Sequence, residues 1–194
     1  MSSFQDGRST VDEEFVEFEF SGKSLRDADF EDVTFRQCSL SQSLFERCRF
    51  TSCRFVECDL GSVCLTNSTL NGVKFEGCRL LGIDFATALS TMLSLEFQSC
   101  QMDYCGFSRL PLSRTSFRDC RLRDADFSGA ALNRAVFAGS DLRGARFHRA
   151  NLEQADLRGT QDFCVDPTKV SLRRTRIELD ALLQIGEQLG LTTR

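Results

Sequence analysis

The sequence has no tryptophan, one tyrosine, one histidine and two prolines in 194 residues. A single histidine, His148, cannot build a histidine-based metal cluster. No run of 18 apolar residues occurs, so no membrane-spanning helix is expected. The opening stretch MSSFQDGRSTVDEEF is polar and acidic and lacks the apolar core of a signal peptide. The default expectation is therefore a cytoplasmic protein, whose ten cysteines are thiols rather than a disulfide framework. No glycine-rich phosphate loop appears, and no nucleophile–base pair is apparent. Runs such as Cys48-x4-Cys53-x4-Cys58 lack the hairpin geometry of zinc sites. Neither a cofactor nor an enzyme activity is implied.

What is present is phenylalanine, 18 copies of it, and the spacing is regular. Stepping by five from Phe15 gives Phe20, Leu25, Phe30, Phe35, Leu40, Phe45, Phe50, Phe55, Leu60, Leu65, Leu70, Phe75, Leu80 and Phe85. The phase then jumps by two residues. It resumes at Phe97 and runs through Met102, Phe107, Leu112, Phe117, Leu122, Phe127, Leu132, Phe137, Leu142, Phe147 and Leu152 to Leu157. Two residues before each of these centres stands a small side chain, except at Glu13, Phe18, Lys23, Ile83, Leu95 and Leu110. A period of five fits neither a helix nor a simple alternating strand. Large and small apolar residues two apart do share one side of an extended chain, and a polar corner would turn the chain to a new face. The geometry that follows is a solenoid with an apolar lumen. Eight cysteines (Cys38, Cys48, Cys53, Cys58, Cys78, Cys100, Cys105 and Cys120) hold the small inward position, where they pack as small hydrophobes.

The segments Ala28-Asp29-Phe30, Ala125-Asp126-Phe127, Ala150-Asn151-Leu152 and Ala155-Asp156-Leu157 resemble the signature of the pentapeptide-repeat family. The resemblance covers residues 13–159. It implies an all-β fold, a right-handed quadrilateral β-helix with four pentapeptides per coil, about seven coils and about 34 Å of core at normal strand spacing. Phe97, Phe117 and Phe137 are then expected to stack on one face, and Phe107, Phe127 and Phe147 on the opposite one. The expected organisation is a tail or cap over 1–12 and a β-helix over 13–177, interrupted at 86–96 and 160–169. A short α-helix with its tail follows over 178–194.

The first interruption is read as a short helix or bulge that kinks the solenoid into two halves, or as a plain two-residue loop insertion. Its apolar residues are not assigned to the lumen, so Leu89, Ser90, Thr91, Met92 and Leu93 form a candidate contact segment. In the tail, Leu179, Leu182, Leu183 and Ile185 give an apolar stripe continued by Leu189, with Gly190 as the C-cap. A stripe there caps the open coil end. In the resembling group it also forms a twofold homodimer, so these five residues are the candidate dimer interface.

That group comprises proteins interacting with DNA gyrase or its relative topoisomerase IV, of the Qnr and MfpA types and the albicidin and microcin B17 immunity types. The resemblance implies a rod similar in width to duplex DNA that protects a type II topoisomerase from a poison, by displacing the poison or by DNA mimicry. Charge bears on the choice. Residues 1–32 carry ten acids against three bases, whereas 109–158 carry ten arginines against six acids. Displacement by a protruding segment fits this distribution better than mimicry along the whole rod. The arginines are expected to form a solvated face, without direct nucleic-acid contact, because the phenylalanines among them are core residues. The alternative is a structural scaffold with an unrelated protein partner.

Overall fold

The computed structural model describes residues 4–188. The chain winds as a right-handed β-helix with four faces, here called A to D in chain order. Every pairing is parallel, and residue i pairs with i+20, or with i+22 across the break between Phe85 and Phe97. Strands Ser9–Val11, Asp29–Glu31, Arg49–Thr51 and Thr69–Asn71 form face A. Face B has the longest sheet, from Glu14–Val16 to Ser116–Arg118. Face C is held by single bridges running from Glu19 through Ser39, Asp59 and Arg79 to Gln161. Face D begins with strands Ser24–Arg26 and Leu44–Glu46 and continues as bridges to Arg146. Short strands follow from the repeat itself, because each face is only three residues long before a corner turns the chain.

The regular centres point inward and are buried. On face B, Phe15, Phe35, Phe55, Phe75, Phe97, Phe117 and Phe137 stack with centroids 4.6–5.5 Å apart and rings within about 12° of parallel. On face D, Phe85, Phe107, Phe127 and Phe147 stack at 4.9–5.1 Å. The two ladders meet edge to face across the lumen, as Phe117 does with Phe127 at 5.5 Å and 85°. Offset stacks and T-shaped contacts are the arrangements an aromatic quadrupole favours. Both expected ladders are present, and the one on face B runs on both sides of the break.

The small inward column has a polar task as well as a steric one. Ser140 Oγ donates to the Phe117 carbonyl (2.8 Å) and accepts the Cys120 N–H (2.9 Å). Ser43 and Ser68 donate to the Phe20 and Phe45 carbonyls. The thiols of Cys38, Cys58 and Cys78 lie 3.3 Å from the carbonyls of Phe15, Phe35 and Phe55. A donor here satisfies a carbonyl of the coil below, in a lumen where an unpaired one is costly. This accounts for the abundance of Cys, Ser and Thr beside Ala and Val. None of the ten cysteines is in a disulfide. Burial pushes the Cys53 and Cys105 thiols up to about 12, which suits inert core groups.

The ends are closed by residues outside the five-residue rhythm. Phe4 plugs the first coil, 5.1 Å from Phe15, 4.8 Å from Phe20 and 4.5 Å from Phe18. Phe18 fits at a small-residue position because it lies at the mouth of the lumen against this plug. Thr10 occupies a buried face A centre paired with Phe30, so the ladder begins at Ser9, ahead of the first phenylalanine centre. At the other end, Phe163 and Val165 are buried, with Phe163 edge-on to Phe147 at 5.6 Å. The chain there shifts by one residue to bring a phenylalanine inside. Gly139 and Gly144 meet a steric demand. Both have φ near 70°, and a Cβ on either would collide with the carboxylate of Asp119 or Asp124 in the coil below.

Candidate functional site

The two surplus residues between Phe85 and Phe97 are absorbed on face A alone. Face B keeps its ladder, with Val73 opposite Leu95 and Phe75 opposite Phe97, and face D pairs Asp84 with Gly106. Phe75–Phe97 and Phe85–Phe107 stack as closely as any other pairs. The solenoid is therefore not kinked into two halves. Two continuous aromatic ladders on opposite faces clamp the coil, so the extra length is pushed outward where nothing resists it.

A 3-10 turn at Phe85–Thr87 starts the excursion, capped by Asp84, whose carboxylate accepts the Ala86 N–H (3.0 Å). Ala88 is buried at the small inward position, in line with Ser68 of the coil below. The larger Ile83, Leu95 and Leu110, three of the exceptions to the small column, are buried around this coil. Two hydrogen bonds anchor the stem, Leu89 N–H to the Ser68 carbonyl (2.8 Å) and Ser94 N–H to the Leu70 carbonyl (3.0 Å). Between them the chain turns at Met92, whose φ is 60°. Leu89, Ser90, Thr91 and Met92 are exposed, Met92 to 66%. Leu93 is only partly so and packs against the core. The structure thus brings four of the five candidate residues onto one protruding turn and draws the fifth inward.

The C-terminal helix, Leu179–Gln188, divides the candidate dimer residues differently from the expected single stripe. Ile185 is buried and Ala181, one turn earlier, packs beside it against the core. Leu179, Leu182 and Leu183 face out, at 66, 53 and 38% exposure. The inward face follows the i, i+4 pair 181/185, and the three leucines lie on the opposite side. Leu189 and Gly190 lie outside the described residues. Among the described residues, no group of three or more His, Cys, Asp or Glu is placed to hold a metal ion. No helix among them is long and apolar enough to cross a membrane.

With this geometry in hand, comparison with known families is direct. A family model described as a pentapeptide repeat region matches residues 28–92, and one described as pentapeptide repeats, in eight copies, matches residues 120–159. The chain belongs to the pentapeptide-repeat family. The coils of this pentapeptide-repeat protein share their fold with a trypsin-treated form of QnrB1, a plasmid-mediated fluoroquinolone resistance protein. The two are 22% identical over 98% of this chain and 99% of that one, with a TM-score of 0.51. HetL, a pentapeptide-repeat protein involved in heterocyst differentiation regulation in Nostoc sp. strain PCC 7120, is 17% identical, with a TM-score of 0.42 over 88% of this chain and 87% of its own. Comparison with curated protein sequences finds no match.

Proposed function

We propose that this pentapeptide-repeat protein is a non-catalytic, cytoplasmic binding protein that engages DNA gyrase, or topoisomerase IV, and protects it from a topoisomerase poison. The observation that carries the reading is the turn at Leu89–Met92. It places the exposed apolar side chains of Leu89 and Met92 together on one protruding turn, at the coil where two surplus residues break the repeat. The shared fold with a fluoroquinolone resistance protein and the resemblance of the repeats to the topoisomerase-interacting group support it. In this reading the rod supplies rigidity and the turn supplies the contact. A homodimer through the C-terminal helix completes the proposal, with Leu179, Leu182 and Leu183 as its exposed leucines. The decisive experiment is a gyrase supercoiling and cleavage assay titrated with purified protein, with and without a cleavage-stabilising poison. Rescue of supercoiling in the poisoned reaction is the expected result. No effect on gyrase or topoisomerase IV in either condition would leave a scaffold with another protein partner as the function.

A further inference from the structure

The arginines of the second half are sorted by face. Arg118 aside, those on faces B, C and D are matched with acids, among them Arg121 with Asp103, Arg123 with Asp141, Arg143 with Asp162, Arg146 with Asp126 and Arg158 with Asp156, these five within 3.4 Å. Face A differs. The ladder Pro111–Ala131–Asn151–Ser171 brings two columns of cations to its two edges. One edge carries Arg109, Arg149 and Lys169, and the other Arg114, Arg134 and Arg174. All six are exposed. Among the described residues, none of the five arginines has an ion-pair partner, although Arg134 reaches the Gln154 amide at 3.1 Å, and Lys169 meets Asp166. The four stretches that build this face and its corners, 108–115, 128–135, 148–155 and 168–175, contain one acid, Glu153. Its carboxylate is occupied by the Ser171 hydroxyl (3.0 Å). The equivalent stretch in the second coil, 26–33, holds four acids and one base. Face A is therefore polarised along the rod, and its C-terminal half is a basic strip in which only Lys169 of the six cations is ion-paired among the described residues.

We propose that this strip, face A from Arg109 to Arg174, binds the phosphate backbone of duplex nucleic acid. Cations at successive coils of a β-helix recur at multiples of about 4.8 Å, which suits a polymer of closely spaced charges. Five of the six are arginine, whose planar fork matches phosphate oxygens. Ser113, Asn133, Asn151 and Ser171 lie between the columns and supply the short polar side chains that commonly accompany phosphate contacts. The strip carries no large apolar anchor of the kind that dominates a protein interface, which favours a nucleic acid over an acidic protein. It carries no exposed aromatic ring either, so bases have nothing to stack on and a duplex fits better than a single strand. From the sequence no such contact is expected, because the phenylalanines among these arginines are core residues.

The test is fluorescence anisotropy of a labelled duplex of about 20 base pairs with the full-length protein, from roughly 50 to 200 mM salt. It contains no topoisomerase, so it stands or falls apart from the function proposed above. Affinity is expected to drop about five-hundredfold over that range, in keeping with about five phosphate contacts. The triple variant Arg114→Glu, Arg134→Glu, Arg149→Glu is expected to bind at least about tenfold more weakly at low salt, with a shallower salt slope. A charge-matched triple on other faces, Arg118→Glu, Arg143→Glu, Arg158→Glu, is expected to stay within about threefold of the parent. All six sites are exposed, and circular dichroism melts verify that both variants fold; single Arg→Gln changes at the same positions replace any triple that does not. Absence of binding at the lowest salt, or equal losses in the two triples, would overturn the proposal. So would displacement of the duplex by polyglutamate at equal charge concentration, which would mark the strip as an acidic-protein site.

Discussion

Phe117 stacks on Phe97 and Phe137 and meets Phe107 and Phe127 edge-on, with no exposed surface. Its neighbour Arg118 points to solvent. Phe117→Ala is expected to cost about 3–5 kcal/mol and Arg118→Ala under about 0.5 kcal/mol, measured by denaturant unfolding. Comparable losses at the two positions would mean the inward column is wrongly placed. Ser140 tests the polar half of the lumen. Ser140→Ala strips the Phe117 carbonyl and the Cys120 N–H of one partner each, and about 1–3 kcal/mol should go with it. Ser140→Cys should lose less, because cysteine occupies the equivalent place in the coils beneath. At this scale the sequence was highly legible, since a centre of Phe, Leu or Met every five residues leaves one register. Thr10 and Phe163 escaped it for physical reasons. A threonine centre has no hydrophobic signature, and Phe163 enters the lumen one residue out of phase.

The two irregular elements were located by the sequence but not shaped by it. The break at 86–96 was visible as a phase jump of two. Whether the jump would bend the rod depended on the stacking of Phe75 on Phe97 and Phe85 on Phe107, which spacing alone does not disclose. Because the ladders persist, trimming 86–96 to a ten-residue phase should leave the thermal midpoint nearly unchanged. The proposed function adds that protection of gyrase from a poison should disappear in the same variant. Full protection by the trimmed protein would move the contact to the coil faces. The helix was also legible as an amphipathic segment, yet its leucines were assigned to one stripe with Ile185. Docking on the coil end selects the Ala181–Ile185 side instead and leaves Leu179, Leu182 and Leu183 outward. Sedimentation should therefore show a dimer at micromolar concentration. The double change Leu179→Glu, Leu182→Glu should convert it to a folded monomer, whereas Ile185→Glu should destabilise the end coil. A parent that sediments as a monomer would remove the dimer from the proposal.

Across the whole molecule, acids and bases are stacked coil upon coil, so the rod's electrostatics belong to columns and not to single pairs. Most pairs are exposed, as Arg49–Asp29 and Arg79–Asp59 are, and such pairs contribute about 0–1 kcal/mol each. The carboxylates beside arginines in the later coils are better sheltered. The Arg158 guanidinium, at 2.7 Å, holds the Asp156 carboxyl below its usual range against the opposing effect of burial. Burial acts to raise Asp141, but the hydrogen bonds from Arg123 and from the Arg143 N–H outweigh it, and the balance is downward. Asp126 is lowered in the same way, with burial opposed by Ser128 and Arg146. A carboxyl whose folded pKa lies below its unfolded value near 3.9 binds fewer protons folded than unfolded as pH falls past that value. Its stabilisation is fully present above that range and is lost as pH drops through the folded pKa. Thermal melts followed by circular dichroism should accordingly give a flat midpoint from about pH 7 to 5 and a steep decline below about pH 4. Asp141→Asn and Asp156→Asn should each lower the midpoint at neutral pH and flatten the acid decline, because the proton they remove from the balance is the one the unfolded chain takes up. A decline of undiminished slope in both variants would show that these two columns are not what the rod loses in acid.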